Sequence, residues 1–285
     1  MVGLKLGRLL FVVVTLFSLL AKANDPVLFE GYYRVMKGGE HAGYFIMKHE
    51  FDAKKKQFVA TTFMRLEGTD DTTESVRAVA TEDFRPISYS YTAAAAGMTR
   101  TIDVRADKTK MTGTITHMGS VEKISKPLSK NAISSLFLVY AILRSPQGLK
   151  ANSSFDYEAV AEELAEVHKG NVKVGGSEDV AGMKALKIEN TFLDTKSTNL
   201  VTDRGEVLAT ISPTQKISIE LMAKPENAYG SYRLQTSLLK ALFGSVPEGK
   251  NNPVSKANRA DPALPAKAAA ESKSGAAAPT GKAGQ

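Results

Sequence analysis

Between Pro26 and Lys126 apolar and polar residues alternate with period two, and turn chemistry interrupts the alternation at roughly ten-residue intervals. Val27 to Met36, His41 to Phe51, Gln57 to Leu66, Glu74 to Ala80, Phe84 to Tyr91, Thr99 to Arg105, Lys110 to His117 and Val121 to Ser125 read as short strands. Lys37-Gly38-Gly39-Glu40 between the first two is hairpin chemistry, because glycine alone supplies positive φ without steric strain. The spacing predicts an antiparallel meander. Several of these strands are apolar on both faces, with Phe45 and Met47 pointing one way and Tyr44 and Ile46 the other. A sheet wetted on one side would have left one set polar.

Asn131 to Arg144 breaks the pattern. Ile133, Leu136, Phe137, Tyr140 and Leu143 form a helical stripe, while Leu138, Val139, Ala141 and Ile142 make the other side apolar too. A helix apolar all round is buried or in a membrane, and this one is too short to span a bilayer, so it is expected to pack inside. Ser154 to Val160, Glu163 to Lys173, Lys184 to Phe192, Ser197 to Thr202, Glu206 to Ser212 and Lys216 to Ala223 return to period two, with a tight turn at Thr202-Asp203-Arg204-Gly205. A last helix over Ser231 to Phe243 would use Leu234, Leu238, Leu239 and Leu242 to pack on the body. The expected fold is therefore mainly β (α+β), a strongly curved antiparallel sheet or half-barrel with a buried helix on its concave face.

The two ends carry the charge. Lys5 and Arg8, the apolar run Leu9 to Leu20 and Ala21-Lys22-Ala23 have the order of a secretory signal cleaved after Ala23. Twelve helical residues reach about 18 Å, short of a hydrocarbon core roughly 30 Å thick. With no Cys there is neither an acylation site at the start of the mature chain nor a disulfide framework, so the fold rests on burial. Residues 24–246 form the expected β-rich domain. From Pro247 to Gln285 there is no aromatic residue, and only Val254 and Leu264 are large aliphatics, so 247–285 is expected to be a disordered Ala/Pro/Lys-rich tail. The leader holds Lys5, Arg8 and Lys22 of a net charge of +7, and the tail holds six basic against three acidic residues, which leaves the body close to neutral. A nucleic-acid-binding body is excluded on that ground. The tail's lysines could touch a membrane or cell-wall surface.

The succession of Gly31-Tyr32-Tyr33, a Gly-centred hairpin, further strands, Ser134-Ser135-Leu136-Phe137-Leu138-Val139-Tyr140-Ala141-Ile142-Leu143-Arg144, and paired strands ending in Asp203-Arg204-Gly205-Glu206-Val207-Leu208 resembles a family of exported bacterial proteins of unknown function. That family is similar to the half-barrel periplasmic lipoprotein carriers and related lipid-binding folds. The likeness spans most of residues 28–223. It lacks a Trp on the late strands, and the Ala-rich tail is extra.

Catalytic templates are absent: there is no G-x-S-x-G elbow, no phosphate-binding glycine loop and no H-E-x-x-H. His49 and Glu50 alternate across a strand, and His41 and His49, on a shared face, stand roughly 26 Å apart, so no metal site is expected. Ser120 to Lys123 and Ser237 to Lys240 match Ser-x-x-Lys no more often than chance predicts. Asp70-Asp71 and Glu162-Glu163 read as solvated turn or edge charges. The feature that could bind is aromatic: Tyr33, Phe45, Phe63, Tyr89, Tyr91, Phe137 and Tyr140 would line an apolar cleft with tyrosine hydroxyls at its mouth. The expectation is a non-catalytic periplasmic binding protein, without cofactor, for a lipid or lipidated ligand. An envelope scaffold that docks a protein partner is the alternative, and secretion beyond the periplasm the alternative destination.

Overall fold

A computed structural model of the chain describes residues 26–68 and 71–256. The expected signal and residues 257–285 of the expected tail lie outside the described residues. Fifteen strands form one sheet in the order β8-β7-β6-β5-β4-β3-β2-β1-β15-β14-β13-β12-β11-β10-β9. One wing is the meander β1 (Val27–Lys37), β2 (Glu40–Asp52), β3 (Gln57–Leu66), β4 (Thr72–Thr81), β5 (Pro86–Ala95), β6 (Met98–Ala106), β7 (Lys110–His117) and β8 (Ser120–Pro127). Its eight members are those that the alternation predicts. The other wing is β9 (Ala132–Ser134), β10 (Ser154–Ala161), β11 (Glu166–Val180), β12 (Met183–Phe192), β13 (Thr195–Val201), β14 (Val207–Ser212) and β15 (Ile217–Leu221). The wings join where β1 pairs antiparallel with β15, Tyr33 opposite Leu221. Pairing is antiparallel throughout except between β9 and β10.

Chain connectivity forces this sheet to curve. Its outermost strands, β8 and β9, are consecutive in sequence, and Pro127 and Ala132 stand five residues apart. Five residues reach at most about 17 Å, whereas fifteen strands laid flat would separate those edges by roughly 65 Å. The sheet is indeed a large, open, curved one. Among the described residues no strand ladder joins its edges; side chains do, together with a backbone bond from the Ser134 N–H of β9 to the Phe84 carbonyl. Lys126 on β8 meets Glu166 on β11 at 2.9 Å, Ser129 donates to Glu158 on β10 at 2.5 Å, and Arg100 on β6 donates to the Glu163 carbonyl at 2.6 Å.

Register defines two faces, because directly paired residues share one. One carries Tyr33, Phe45, His49, Phe58, Ala78, Tyr89, Tyr91 and Ile102; the opposite carries Tyr32, Tyr44, Ile46 and Phe63. Different layers cover them. On the Tyr32 face, α2 (Pro225–Tyr229) and α3 (Thr236–Phe243) bury Tyr32, Tyr44, Ile46 and Phe63 beneath Ala228, Leu239 and Phe243. The last helix thus starts at Thr236, and Leu238 is exposed while Leu239 is fully buried. On the Tyr33 face packs a 3-10 turn, Ser135–Phe137, that runs into α1 (Leu138–Arg144). The helix expected from Asn131 is therefore shorter. Ala132 to Ser134 pair with β10, a bond pattern that a helix would forfeit, and within α1 only Ile142 is fully buried.

Three further expectations are corrected. His41 and His49 do not share a face. The register shifts beside Gly43 and turns His41 toward α2, where its Nε2 lies 3.0 Å from the Ala228 carbonyl. β11 runs on to Val180, well beyond Lys173, because Gly175 and Gly176 sit in a bulge and do not end the strand. Residues 247–256, assigned by composition to the tail, belong to the folded body. The backbone amides of Glu248, Gly249 and Lys250 donate to the buried Glu30 carboxylate, and the Tyr32 hydroxyl donates to the Pro247 carbonyl at 2.9 Å. Asn252 donates to the Met222 carbonyl at 2.8 Å and caps the turn of α4 (Pro253–Lys256), which buries Val254.

Candidate functional site

The seven aromatic residues proposed as a cleft lining do not form one set. Tyr89, Tyr91, Phe137 and Tyr140 come together in one apolar cluster with Phe58, Phe84, Ala78 and Ile102. Tyr33 and Phe45 belong to the adjoining cluster on the same face, their rings 5.5 Å apart. Phe63 is excluded. It pairs with Ile46, faces the other way, and is buried beneath α3. Period two fixes which residues alternate, but only the register between strands fixes which alternating set meets which.

The segment 135–144 links the wings. Phe137 and Tyr140 stack near Phe58 and Phe84, while Ile142, Leu138 and Val139 meet Val172, Val174, Ile188 and Val201 of the second wing. His49 on β2 reads this contact from the sheet side. Its Nδ1 lies 3.2 Å from the Tyr140 hydroxyl, and its buried Nε2 has no hydrogen-bond partner among the described residues. Burial among Phe29, Phe137 and Tyr140 pushes this imidazole down to about 4, against the opposing pull of the Leu136 carbonyl. The Tyr33 hydroxyl donates to the Val207 carbonyl at 2.9 Å. The turn before β14 touches the segment directly: Gly205 has φ +88°, and a Cβ there would lie 2.6 Å from Leu143 Cδ1. Gly205→Ala is therefore expected to lower stability by about 2–4 kcal/mol, combining positive-φ strain with overpacking. Denaturant unfolding checks this, and a loss under 1 kcal/mol would refute the close approach.

A second feature of the Tyr33 face is polar, and nothing in the spacing of residues points to it. Glu162, in the turn between β10 and β11, is only 4 % exposed. It accepts hydrogen bonds from Ser134 at 2.8 Å and Ser135 at 2.6 Å. Burial pushes its carboxyl up to about 7 against those two hydroxyls, with the neighbouring Glu163 adding to the rise. The expectation of solvated charge at Glu162-Glu163 thus fails for Glu162. Tyr89, 4 % exposed, faces the same carboxylates, and its hydroxyl has no hydrogen-bond partner among the described residues. Nearer the end of the sheet stand Tyr91, Arg100, Glu163 and Glu74; burial and Glu163 together raise the Glu74 carboxyl. The niche therefore grades from half-buried acids and one guanidinium at the rim to a buried carboxylate at its floor. Among the described residues no three His, Asp or Glu side chains are grouped to hold a metal ion, and no helix is long and apolar enough to cross a membrane.

The family model described as a protein of unknown function, DUF3108, matches residues 29–236, most of the chain. The chain belongs to the DUF3108 family. The DUF3108 match takes in every strand except the first two residues of β1, together with the 135–144 segment and the Glu162 niche, and stops at the first residue of α3. No curated protein matches this DUF3108 chain. Among solved structures it resembles a β-barrel-like protein of the domain of unknown function DUF1849 from Brucella abortus. The TM-score is 0.52 at 10 % identity, covering 68 % of this chain and 95 % of that one. A DUF1089 family protein from Pseudomonas aeruginosa gives a TM-score of 0.33 at 12 % identity, over 59 % of this chain and 89 % of that one. The Brucella likeness bears on fold alone and agrees with a barrel-like sheet.

Proposed function

We propose that this DUF3108 chain is a non-catalytic, exported binding protein that holds a lipid or other apolar ligand between the Tyr33 face of its sheet and the 135–144 segment. Geometry supports an enclosed setting. Phe58 lies on β3 and Val172 on β11, seven strand steps apart, a distance of about 34 Å on a flat sheet. One segment whose helix is only about 10 Å long touches both, which supports the reading of a sheet curled around it with the helix on the hollow side. The observation that carries the reading is the unfinished burial of that helix. Leu138, Val139, Tyr140, Ala141 and Leu143 all keep part of their surface uncovered although they sit between two wings. Apolar side chains left partly uncovered between two wings are where an acyl chain gains most by displacing water. Phe45 and Tyr140 present the uncovered surface, with Tyr89 and Tyr91 beside them, while Tyr33 and Phe137 are fully buried and back the contact. Export rests on the leader pattern of residues 1–23, and the periplasm is the proposed compartment.

Native mass spectrometry of the exported chain, purified without detergent and paired with organic extraction, tests the proposal. A lipid-sized adduct near stoichiometric amounts is expected. A chain that remains ligand-free when phospholipids and lipopeptides are offered would overturn it in favour of the scaffold alternative.

A further inference from the structure

We propose that the niche formed by Glu74, Tyr89, Tyr91, Glu162 and Glu163 receives an organic ammonium group, the polar end of the ligand. This rests on the binding reading above and adds the chemistry of the ligand's head. Glu163 in the β10–β11 turn lies within electrostatic reach of both Glu74 on β4 and the adjacent Glu162, and among the described residues none of the three is ion-paired. Arg100, the guanidinium beside them, donates its Nη1 to the Glu163 backbone carbonyl and forms no ion pair with any of the three carboxylates. The floor is set for a guest that both donates and carries charge. Glu162 has accepted two hydroxyl donors and has lone pairs to spare. The buried Tyr89 hydroxyl opposite it is unpartnered. A native group of this kind without a partner is rare unless something else fills the gap. Tyr89 and Tyr91 add two π-rings, which attract an alkylammonium more than a neutral head. A bare divalent metal is the poorer fit, since the acids are not grouped closely enough to coordinate one. The raised carboxyls of Glu162 and Glu74 are what uncompensated acids look like before a cation arrives.

The niche also lies at the correct place for a head group. Half-buried Glu74 and Glu163 form its rim, and Tyr91 and Tyr89 lead from there into the aromatic cluster that ends at Phe137 and Tyr140. An amphipathic amine would lay its chain along that cluster and leave its nitrogen among the acids.

The test is calorimetric titration of the delipidated, exported chain at pH 8 with decylammonium, decanol and decanoate, which share one tail and differ in head. Decylammonium is expected to bind at least roughly tenfold more tightly than decanol, and decanoate most weakly. That preference should vanish in Glu162→Gln and persist in Glu189→Gln, which alters an exposed carboxylate elsewhere. Tyr89→Phe keeps the ring and removes the hydroxyl, so it should weaken decylammonium a few-fold and leave decanol unchanged. It also covers the case in which Glu162→Gln fails to fold. Lysophosphatidylethanolamine, lysophosphatidylcholine and an unacylated lysine-ended peptide then separate a primary-amine lipid, a quaternary lipid and a free amine as the source. Equal binding of the three ten-carbon probes would overturn the ammonium assignment while the apolar-binding reading stood. Binding of none would overturn both.

Discussion

A chain cut after Val246 is expected to be about 3–4 kcal/mol less stable than one cut after Lys256. Residues 247–256 are poor in apolar mass, and their contribution is made of hydrogen bonds in buried places. Removing them uncovers the pocket that Val254 fills, worth about 1.5–3 kcal/mol on full burial. It also strips Glu30, 3 % exposed, of three backbone donors, and hydrogen bonds to a charged group are worth about 1.5–3 kcal/mol. Water that reaches Glu30 once the strap is gone repairs part of the loss, which keeps the sum toward its lower half. For a domain of this size that corresponds to a fall in Tm of roughly 10 °C. Thermal unfolding of the two truncations decides the matter, and equal midpoints would mean that the strap does not hold β1. The practical corollary concerns any experiment on the tail: a deletion that begins at Pro247 damages the fold and the tail together, so tail function has to be tested by cutting after Lys256.

Stability should also depend on pH through two buried groups that act in opposite directions. His49 is held near 4, below its unfolded value of about 6.5, so its contribution is present above pH 6.5 and is lost as the pH falls through 4. Glu162 is held near 7, above its unfolded value of about 4.5, so its contribution is fully present below pH 4.5 and is lost as the pH rises through 7. Each shift of about 2.5 units is worth about 3 kcal/mol. Between pH 4.5 and 6.5 the two slopes offset each other, and the parent chain should show little pH dependence from this pair. The groups around Glu162 are Ser134, Ser135, Glu163 and Tyr89, so no neighbouring cation opposes the shift. Glu162→Gln removes one slope. Its stability relative to the parent should fall by about 3 kcal/mol between pH 8 and pH 5, read from urea unfolding at each pH. His49→Asn keeps an acceptor for Tyr140 and removes the other slope, so its relative stability should rise over the same interval. Parallel curves for either variant would show that its parent group titrates normally.

These predictions come from parts of the molecule that differ in how far the sequence discloses them. The first wing was readable because each strand alternates cleanly and each break is a turn, as at Gly38-Gly39. Gly175-Gly176 carries the same composition as a break yet sits inside β11, since a bulge and a turn both need glycine and only the partner strand tells them apart. Ala132 to Ser134 joined an apolar run that looked helical, but their backbone is claimed by β10. Phe63 alternates as a cleft residue would, and only its pairing with Ile46 turns it to the other face. Glu162 was beyond reach, because its burial comes from Ser134, Ser135 and Tyr89, residues from two other places in the chain. Residues 247–256 were hidden for a different reason: composition counts apolar area, whereas the strap holds through backbone amides and the side chain of Asn252.

The join between β1 and β15 carries a kinetic meaning. Within each wing the antiparallel pairs connect neighbours in sequence, so both can form while the rest of the chain is loose. Tyr33 meets Leu221 only after the whole intervening chain has been brought round. The entropic toll of that closure falls on one ladder, and local pairing comes first where contacts are short-range. Folding is therefore expected to proceed by two meanders and a late latch, which the folding and unfolding rates of latch variants would check. Substitutions at Val35 or Ile219, which face each other across that latch, would speed unfolding and leave the folding rate nearly unchanged.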